Sequence, residues 1–348
     1  MKIKKQFAAS LFTSLWLACL LISPLHAAIK APAGAALVDP ASVVSTTNGI
    51  LVLQIENSST GDLGMWSVTT GASHPNPGQQ VLYPVGTSYI TFRDATAMIM
   101  YGNVGSTSPG LAGYTYQNMS TAPGAGVVTN LANGYRTVWT IPSWTVTQDV
   151  VINGTTLSNT NVQQTVTVTN TSAASRQYGL RFMWDWEIAG NDASFFRTRN
   201  PDGAFTSTFT TFNNPTFQLF EEVNNITTPL FSVFGTVTGG PLIPVPTTPE
   251  QLRYSSWGAA YNSAWDFTNT GGGSDSATEH YWGFAAPLTL AAGASATYVQ
   301  YLTTNFAAGG GGPAAGPVVV PTLSEWGVLL LIALLGGLAI WSVRRKLR

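Results

Sequence analysis

Apolar and polar positions alternate with a period of two along most of the middle of this chain. Residues 49–56 read GILVLQIE, residues 162–168 VQQTVTV and residues 295–303 SATYVQYLT. Residues 87–93 and 135–141 follow the same rule. Side chains of an extended strand point to opposite faces in turn, so each run predicts a strand with one face turned to a core. Asn133-Gly134, Asn153-Gly154 and Pro201-Asp202-Gly203 stand between such runs. They are turn signals, because these residues tolerate backbone conformations that others resist. No segment between the two ends shows the period of an amphipathic helix. Many short strands joined by Gly, Pro and Asn turns predict an all-β fold, a large antiparallel β-sandwich.

The pattern changes at both ends. Residues 1–27 join Lys2, Lys4 and Lys5 to an apolar run over 7–22 and a small-residue exit at Ala27, with Ala28 as the alternative. That is the build of a signal peptide removed by signal peptidase. The lone cysteine, Cys19, falls inside it, so the mature chain is expected to have no disulfide, Cys-ligated metal or thiol nucleophile. Residues 28–306 are the predicted sandwich, and 307–319 form a Gly/Pro/Ala linker. Residues 327–343 carry no charge and predict one transmembrane helix, roughly 25 Å long, near the lower limit for a bilayer. Trp326 and Trp341 lie at its edges, where indole rings suit the interface. The basic end 344–348 should stay cytoplasmic.

The sandwich region is long enough for one large sandwich or two small ones. One is favoured, because no linker-like break precedes Ala307. Residues 241–249 (PLIPVPTTP) are the best candidate boundary and read as a long stiff surface loop.

The tail opens with Val320-Pro321-Thr322-Leu323-Ser324-Glu325-Trp326-Gly327, followed by the helix and the Arg-rich end. Together, residues 320–348 resemble the IPTL-CTERM sorting signal, departing from its pattern only in Val320 for Ile. The resemblance implies an exosortase-like membrane transpeptidase as partner in a Gram-negative envelope. It implies an inner-membrane-anchored precursor, then a protein at the cell surface or outside the cell. At the level of fold alone, the predicted plan is similar to the super-sandwich of galactose-mutarotase-like domains. Asn170-Thr171-Ser172 and residues 181–192 and 275–282 resemble uncharacterised bacterial extracellular β domains. That family carries no function to transfer, but it implies that the last two stretches converge on one site.

Charge adds an exclusion. Residues 28–320 hold eight basic against fifteen acidic side chains, a net of −7. A mildly acidic surface without a basic patch argues against nucleic acid or anionic lipid as partner. Nucleophile-elbow, HExxH and phosphate-loop signatures are absent from the sequence.

Candidate chemistry gathers in two stretches. Residues 180–188 (LRFMWDWEI) read as a strand with Leu180, Phe182, Trp184, Trp186 and Ile188 on a buried face. Arg181, Met183, Asp185 and Glu187 share the other face, with the two carboxylates about 7 Å apart. That spacing allows acid and base roles in glycoside cleavage. With Asn191 and Asp192 the pair could instead bind calcium, the one candidate ion, since oxygen ligands suit a hard cation. The plainer reading is that Arg181 neutralises the pair and Asn191-Asp192 shapes a turn. In the second stretch Asp275, Glu279 and His280 are close, and His280 is a candidate general base or ligand against a plainer role in packing. Of eight tryptophans in the sandwich region, Trp257 and Trp265 lie in loop-rich sequence and are candidate platforms for sugar rings.

The leading expectation is an exported surface or matrix protein, non-enzymatic and able to bind polysaccharide. The alternatives are a glycan-active enzyme using Asp185 and Glu187, and a structural subunit of an envelope layer.

Overall fold

The segments that alternate most regularly become the longest strands. The computed structural model describes residues 43–305, apart from 58–62, 85, 103–105 and 122–125. The chain begins with β1 (Val43–Thr47), β2 (Leu51–Glu56), β3 (Trp66–Thr70), β4 (Tyr89–Asp94), β5 (Ile99–Gly102) and β6 (Thr115–Asn118). Then come β7 (Val127–Leu131), β8 (Gly134–Ile141), β9 (Trp144–Asn153), β10 (Asn161–Asn170), β11 (Arg176–Asp185), β12 (Phe195–Arg199) and β13 (Thr210–Asn213). After β14 (Leu219–Val223), β15 (Ser232–Thr236) and β16 (Gln251–Ser256) stands α1 (Trp257–Asn262). The chain closes with β17 (Ser276–Trp282), β18 (Leu288–Leu290) and β19 (Ser295–Thr303). The helix α1 falls in sequence that reads as loop, and at six residues it is too short to show a period.

Two eight-stranded sheets and a three-stranded sheet result. One large sheet runs β12-β14-β15-β19-β10-β9-β8-β7, and the other β13-β16-β17-β11-β4-β5-β6 with β18 on β11. Pairing is antiparallel, as the alternation predicts, except for β5 with β6. Late strands sit between early ones: β19 lies between β10 and β15, and β17 between β11 and β16. Both sheets therefore draw on distant parts of the chain, and strands 43–305 make one sandwich. The Pro-rich segment 241–249 is a loop fastened to β19. Thr247 N–H donates to the Val299 carbonyl at 2.9 Å and the Tyr301 hydroxyl to the Pro244 carbonyl at 2.7 Å.

In β9 burial alternates at every residue, so Trp144, Val146, Val150 and Ile152 face inward and Thr145, Thr147 and Asp149 outward. The inward faces of both large sheets meet in shared cores. One joins Trp139, Trp144 and Val166 to Phe92, Leu180 and Phe182. The other joins Val150, Val162 and Phe220 to Trp184, Trp186 and Tyr254, and the three-stranded sheet adds Leu51, Leu53 and Trp66. Two inward glutamines are buried as well, and a chain of hydrogen bonds satisfies them. Trp184 Nε1 donates to Gln164 at 2.7 Å, Gln164 to Gln148 at 3.1 Å, and Gln148 to the Gly64 carbonyl at 2.7 Å.

The signal peptide at 1–27, the linker at 307–319, the motif at 320–327, the helix at 327–343 and the basic end at 344–348 lie outside the described residues. Among the described residues no helix is long and apolar enough to cross a membrane.

Candidate functional site

The stretch richest in carboxylates begins where β11 leaves its sheet. Inside the sheet β11 lies between β4 and β17, so neighbours fill both edges. Every residue from Tyr178 to Asp185 is buried. Both faces of the strand are therefore covered, and the expected polar face holding Arg181, Met183 and Asp185 does not meet solvent. Met183 packs with Tyr89, Trp257 and Ala260. Arg181 is fully buried and does not neutralise the carboxylates. It donates to the carbonyls of Ala260 and Ser263 at 3.3 and 3.0 Å, and to the hydroxyls of Tyr89 and Thr91 at 3.2 and 3.0 Å.

Beyond Asp185 the main chain stays close to β17. Trp186 N–H donates to the Ser276 carbonyl at 3.0 Å, and Ser276 N–H donates to the Asp192 carbonyl at 2.8 Å. Between these bonds the chain reverses: Ile188 and Asn191 exchange two N–H to carbonyl bonds of 3.0 Å. Ala189 and Gly190 take positive φ of 51° and 79° in the turn, which Gly190 accepts without strain. The Asn191 amide donates to the carbonyls of Ala193 and Asn224 and its oxygen accepts the Ala193 N–H, so its side chain is spent on the turn.

This folding brings Asp185, Asp192 and Asp275 together, with one carboxylate oxygen of each within 4.8 Å of the others. Asp185 is 1 % exposed. Its Oδ1 and that of Asp192 have no hydrogen-bond partner. Burial, then the charges of Asp275 and Asp192, push the Asp185 carboxyl well above the usual range, against a hydrogen bond from Thr87. Burial holds Asp192 at about 6. Burial and the Asp192 charge raise Asp275 to about 7 and half-buried Glu187 to about 7. The Tyr83 phenol is pushed up by burial and by Asp192, Glu187, Asp185 and Asp275, which places it beside the same group. Crowded carboxylates with too few donors can hold protons, or a hard cation with oxygen ligands.

The other sequence candidates lie elsewhere. Trp257 and Trp265 are 3 % and 1 % exposed, so neither presents a ring to a sugar. Trp257 packs beneath the loop at Thr87, donating Nε1 to its carbonyl at 3.3 Å. Trp265 lies against Tyr281 and Phe284. His280 is fully buried, 4.8 Å from the Trp184 ring, and Nε2 donates to the Thr236 carbonyl at 3.2 Å. Burial lowers it to about 3, which keeps it neutral and removes it as a proton-transfer group near neutrality. Glu279 accepts a hydrogen bond from Ser255 inside the sheet. Of the second stretch, only Asp275 joins the carboxylate group. The expectation that the two stretches converge points that way, whereas Tyr83 and Thr87 carry no signal in sequence. A separate cavity of about 530 Å³ lies between Asn214, Thr248, Glu250 and Trp282. Its one carboxylate, Glu250, accepts the N–H groups of Phe284 and Ala285 and so holds a turn.

Residues 320–345 match the IPTL-CTERM motif, a C-terminal sorting signal of exported proteins. No curated protein matches the chain. Among solved structures it is similar to a galactose mutarotase related enzyme from Lactobacillus acidophilus, at 10 % identity over 76 % of this chain and 98 % of that one, with a TM-score of 0.39. It is also similar to a Synechocystis sp. PCC 6803 protein, at 10 % identity over 76 % and 96 %, TM-score 0.45. For 4-alpha-glucanotransferase from Thermococcus litoralis the values are 7 % identity, 75 % and 37 %, TM-score 0.30. Likeness of this degree transfers no activity.

Proposed function

We propose that this chain is displayed at the cell surface by exosortase-type processing of its C-terminal signal, and acts there as a non-enzymatic β-sandwich module. The observation that carries the reading is the IPTL-CTERM motif at 320–345, placed after a complete sandwich. Signal peptidase acts first, at Ala27. The helix at 327–343 then holds the precursor in the inner membrane until the exosortase-like transpeptidase acts near the motif. The burial of Asp185, Trp257, Trp265 and His280 supports a role without catalysis. Asp185 is 1 % exposed, and a carboxylate that substrate cannot touch is a poor nucleophile or base. A polysaccharide partner would meet the outward Thr and Ser side chains of β9, β10 and β19 rather than an aromatic platform.

The test is localisation in a Gram-negative host with an exosortase of this class. The full chain should reach the surface, and a chain ending at Gly316 should be released. Surface display of the truncated chain would refute the sorting role. Exposure of the purified sandwich to a polysaccharide panel should yield no new reducing ends. Reducing ends that disappear in Glu187→Gln would establish the enzyme instead.

A further inference from the structure

The geometry points to a divalent-cation site of the calcium class, formed by Asp185, Asp192 and Asp275, a feature beyond the proposed surface role. Three oxygens no more than 4.8 Å apart share a centre within about 2.8 Å of each. That is a few tenths of an ångström beyond the 2.3–2.6 Å of calcium–oxygen ligation, a gap that side-chain rotation closes. Crowding of acids alone would not make a site, since exposed carboxylates often cluster at a turn. Here the deepest member settles the matter. Asp185 is 1 % exposed, joins the group with a carboxylate oxygen and leaves Oδ1 without any partner. A buried polar atom with no partner costs stability unless something supplies the missing contact. The ion pairs of the described residues are made by other acids, Asp94, Asp149, Asp202, Glu221 and Asp266, so among the described residues no Arg or Lys forms an ion pair with this group.

The donor chemistry selects the ion. All three ligands are carboxylate oxygens, which favour hard cations over zinc or copper. They come from three segments of unlike geometry: the end of β11, the turn before β12, and the residue preceding β17. Calcium accepts such irregular sets, whereas magnesium demands an octahedron and keeps its water. An ion here adds a cross-link to three segments already joined by main-chain bonds and by the Ser194 and Ser276 hydroxyls, so loading should stabilise the sandwich.

The experiment uses the full chain in detergent, stripped with EDTA and titrated with CaCl2 or MgCl2 while thermal unfolding is followed. Calcium should raise Tm by several degrees with saturation, at concentrations at least tenfold lower than magnesium requires. Asp192→Asn and Asp275→Asn should abolish the rise while the ion-free variants stay folded, with Tm at or above that of the stripped wild type. Both residues are only partly buried, so folding does not hinge on them as it would on Asp185. Asp149→Asn, on an outward strand face, should keep the full rise. The proposal fails if neither ion shifts Tm, if Asp192→Asn keeps the shift, or if Asp149→Asn loses it equally.

Discussion

Ser276 N–H donates to the Asp192 carbonyl at 2.8 Å, tying the turn after β11 to the first residue of β17 across 84 positions of sequence. Main-chain pairing thus forces the carboxylates of Asp185, Asp192 and Asp275 together whatever fills the space between them. Like charges at this distance must be relieved by protons or by a counter-ion.

Glu222 is fully buried, and the Ser194 hydroxyl donates to it at 2.5 Å. Burial pushes its carboxyl up to about 8 from an ordinary 4.5. The folded state therefore holds a proton that the unfolded state releases, and this contribution is full below about pH 4.5 and lost as pH rises through 8. The slope reaches about 1.4 kcal/mol per pH unit. Glu222→Gln keeps an acceptor for Ser194 and removes the ionisation. Urea unfolding from pH 5 to 8 should show a shallower decline in the variant than in the wild type. Parallel curves would mean that Glu222 is ionised in the folded protein.

His280 titrates in the opposite sense. Burial lowers it to about 3, from an ordinary 6.5. As pH falls below 6.5 the unfolded chain takes up a proton that the folded chain refuses, so stability drains by about 1.4 kcal/mol per unit until pH 3. His280→Gln retains an N–H for the Thr236 carbonyl and cannot be protonated. Between pH 6 and 4 the variant should lose less stability than the wild type in chemical denaturation. Equal losses would show that the acid sensitivity lies elsewhere.

Gln164 on β10 joins the two large sheets by accepting Trp184 Nε1 from β11, and it donates to Gln148 within its own sheet. Gln164→Leu fits an apolar core but strands the Trp184 N–H and the Gln148 carbonyl oxygen. Two orphaned buried groups cost about 3 kcal/mol together. Denaturant midpoints at constant slope measure this directly, and a neutral variant would mean that water replaces the lost bonds.

Asp94 and Arg136 offer a paired comparison. Asp94 is buried and accepts Trp144 Nε1 and Arg176 at 2.9 Å each, and the N–H groups of Thr96 and Ala97 at 3.1 and 2.9 Å. Asp94→Ala should cost about 4 kcal/mol, because a partly buried cation, a buried indole N–H and two main-chain N–H groups lose their buried acceptor. Arg136 pairs with Asp149 in two bonds of 2.7 Å, but its side chain is 46 % exposed. Arg136→Ala should cost under about 1 kcal/mol and less in high salt. Similar losses in calorimetry for both variants would contradict the burial that separates them.

The all-β class, the strands at 51–56, 134–141, 161–170 and 295–303, and the C-terminal motif at 320–345 are all legible in the sequence alone. Each is a local pattern: alternation reports the pleat of a strand, and a sorting motif is read as a linear string. Residue type gives no such guide to exposure. Trp257, Trp265 and His280 are the side chains that suit a binding face, yet they suit a core equally well when a partner is within reach. Coverage of the second face of β11 is decided by α1 and residues 263–267, some eighty positions away, which is why Arg181 leaves the carboxylates for Tyr89, Thr91 and two carbonyls. The grouping of Asp275 with Asp185 and Asp192 is likewise a product of strand pairing, since Asp185 stands opposite Ala277 in the β11–β17 register. Local chemistry determined which strands form; long-range pairing and layering decided which side chains meet, because contacts between distant segments leave no periodic trace in either one.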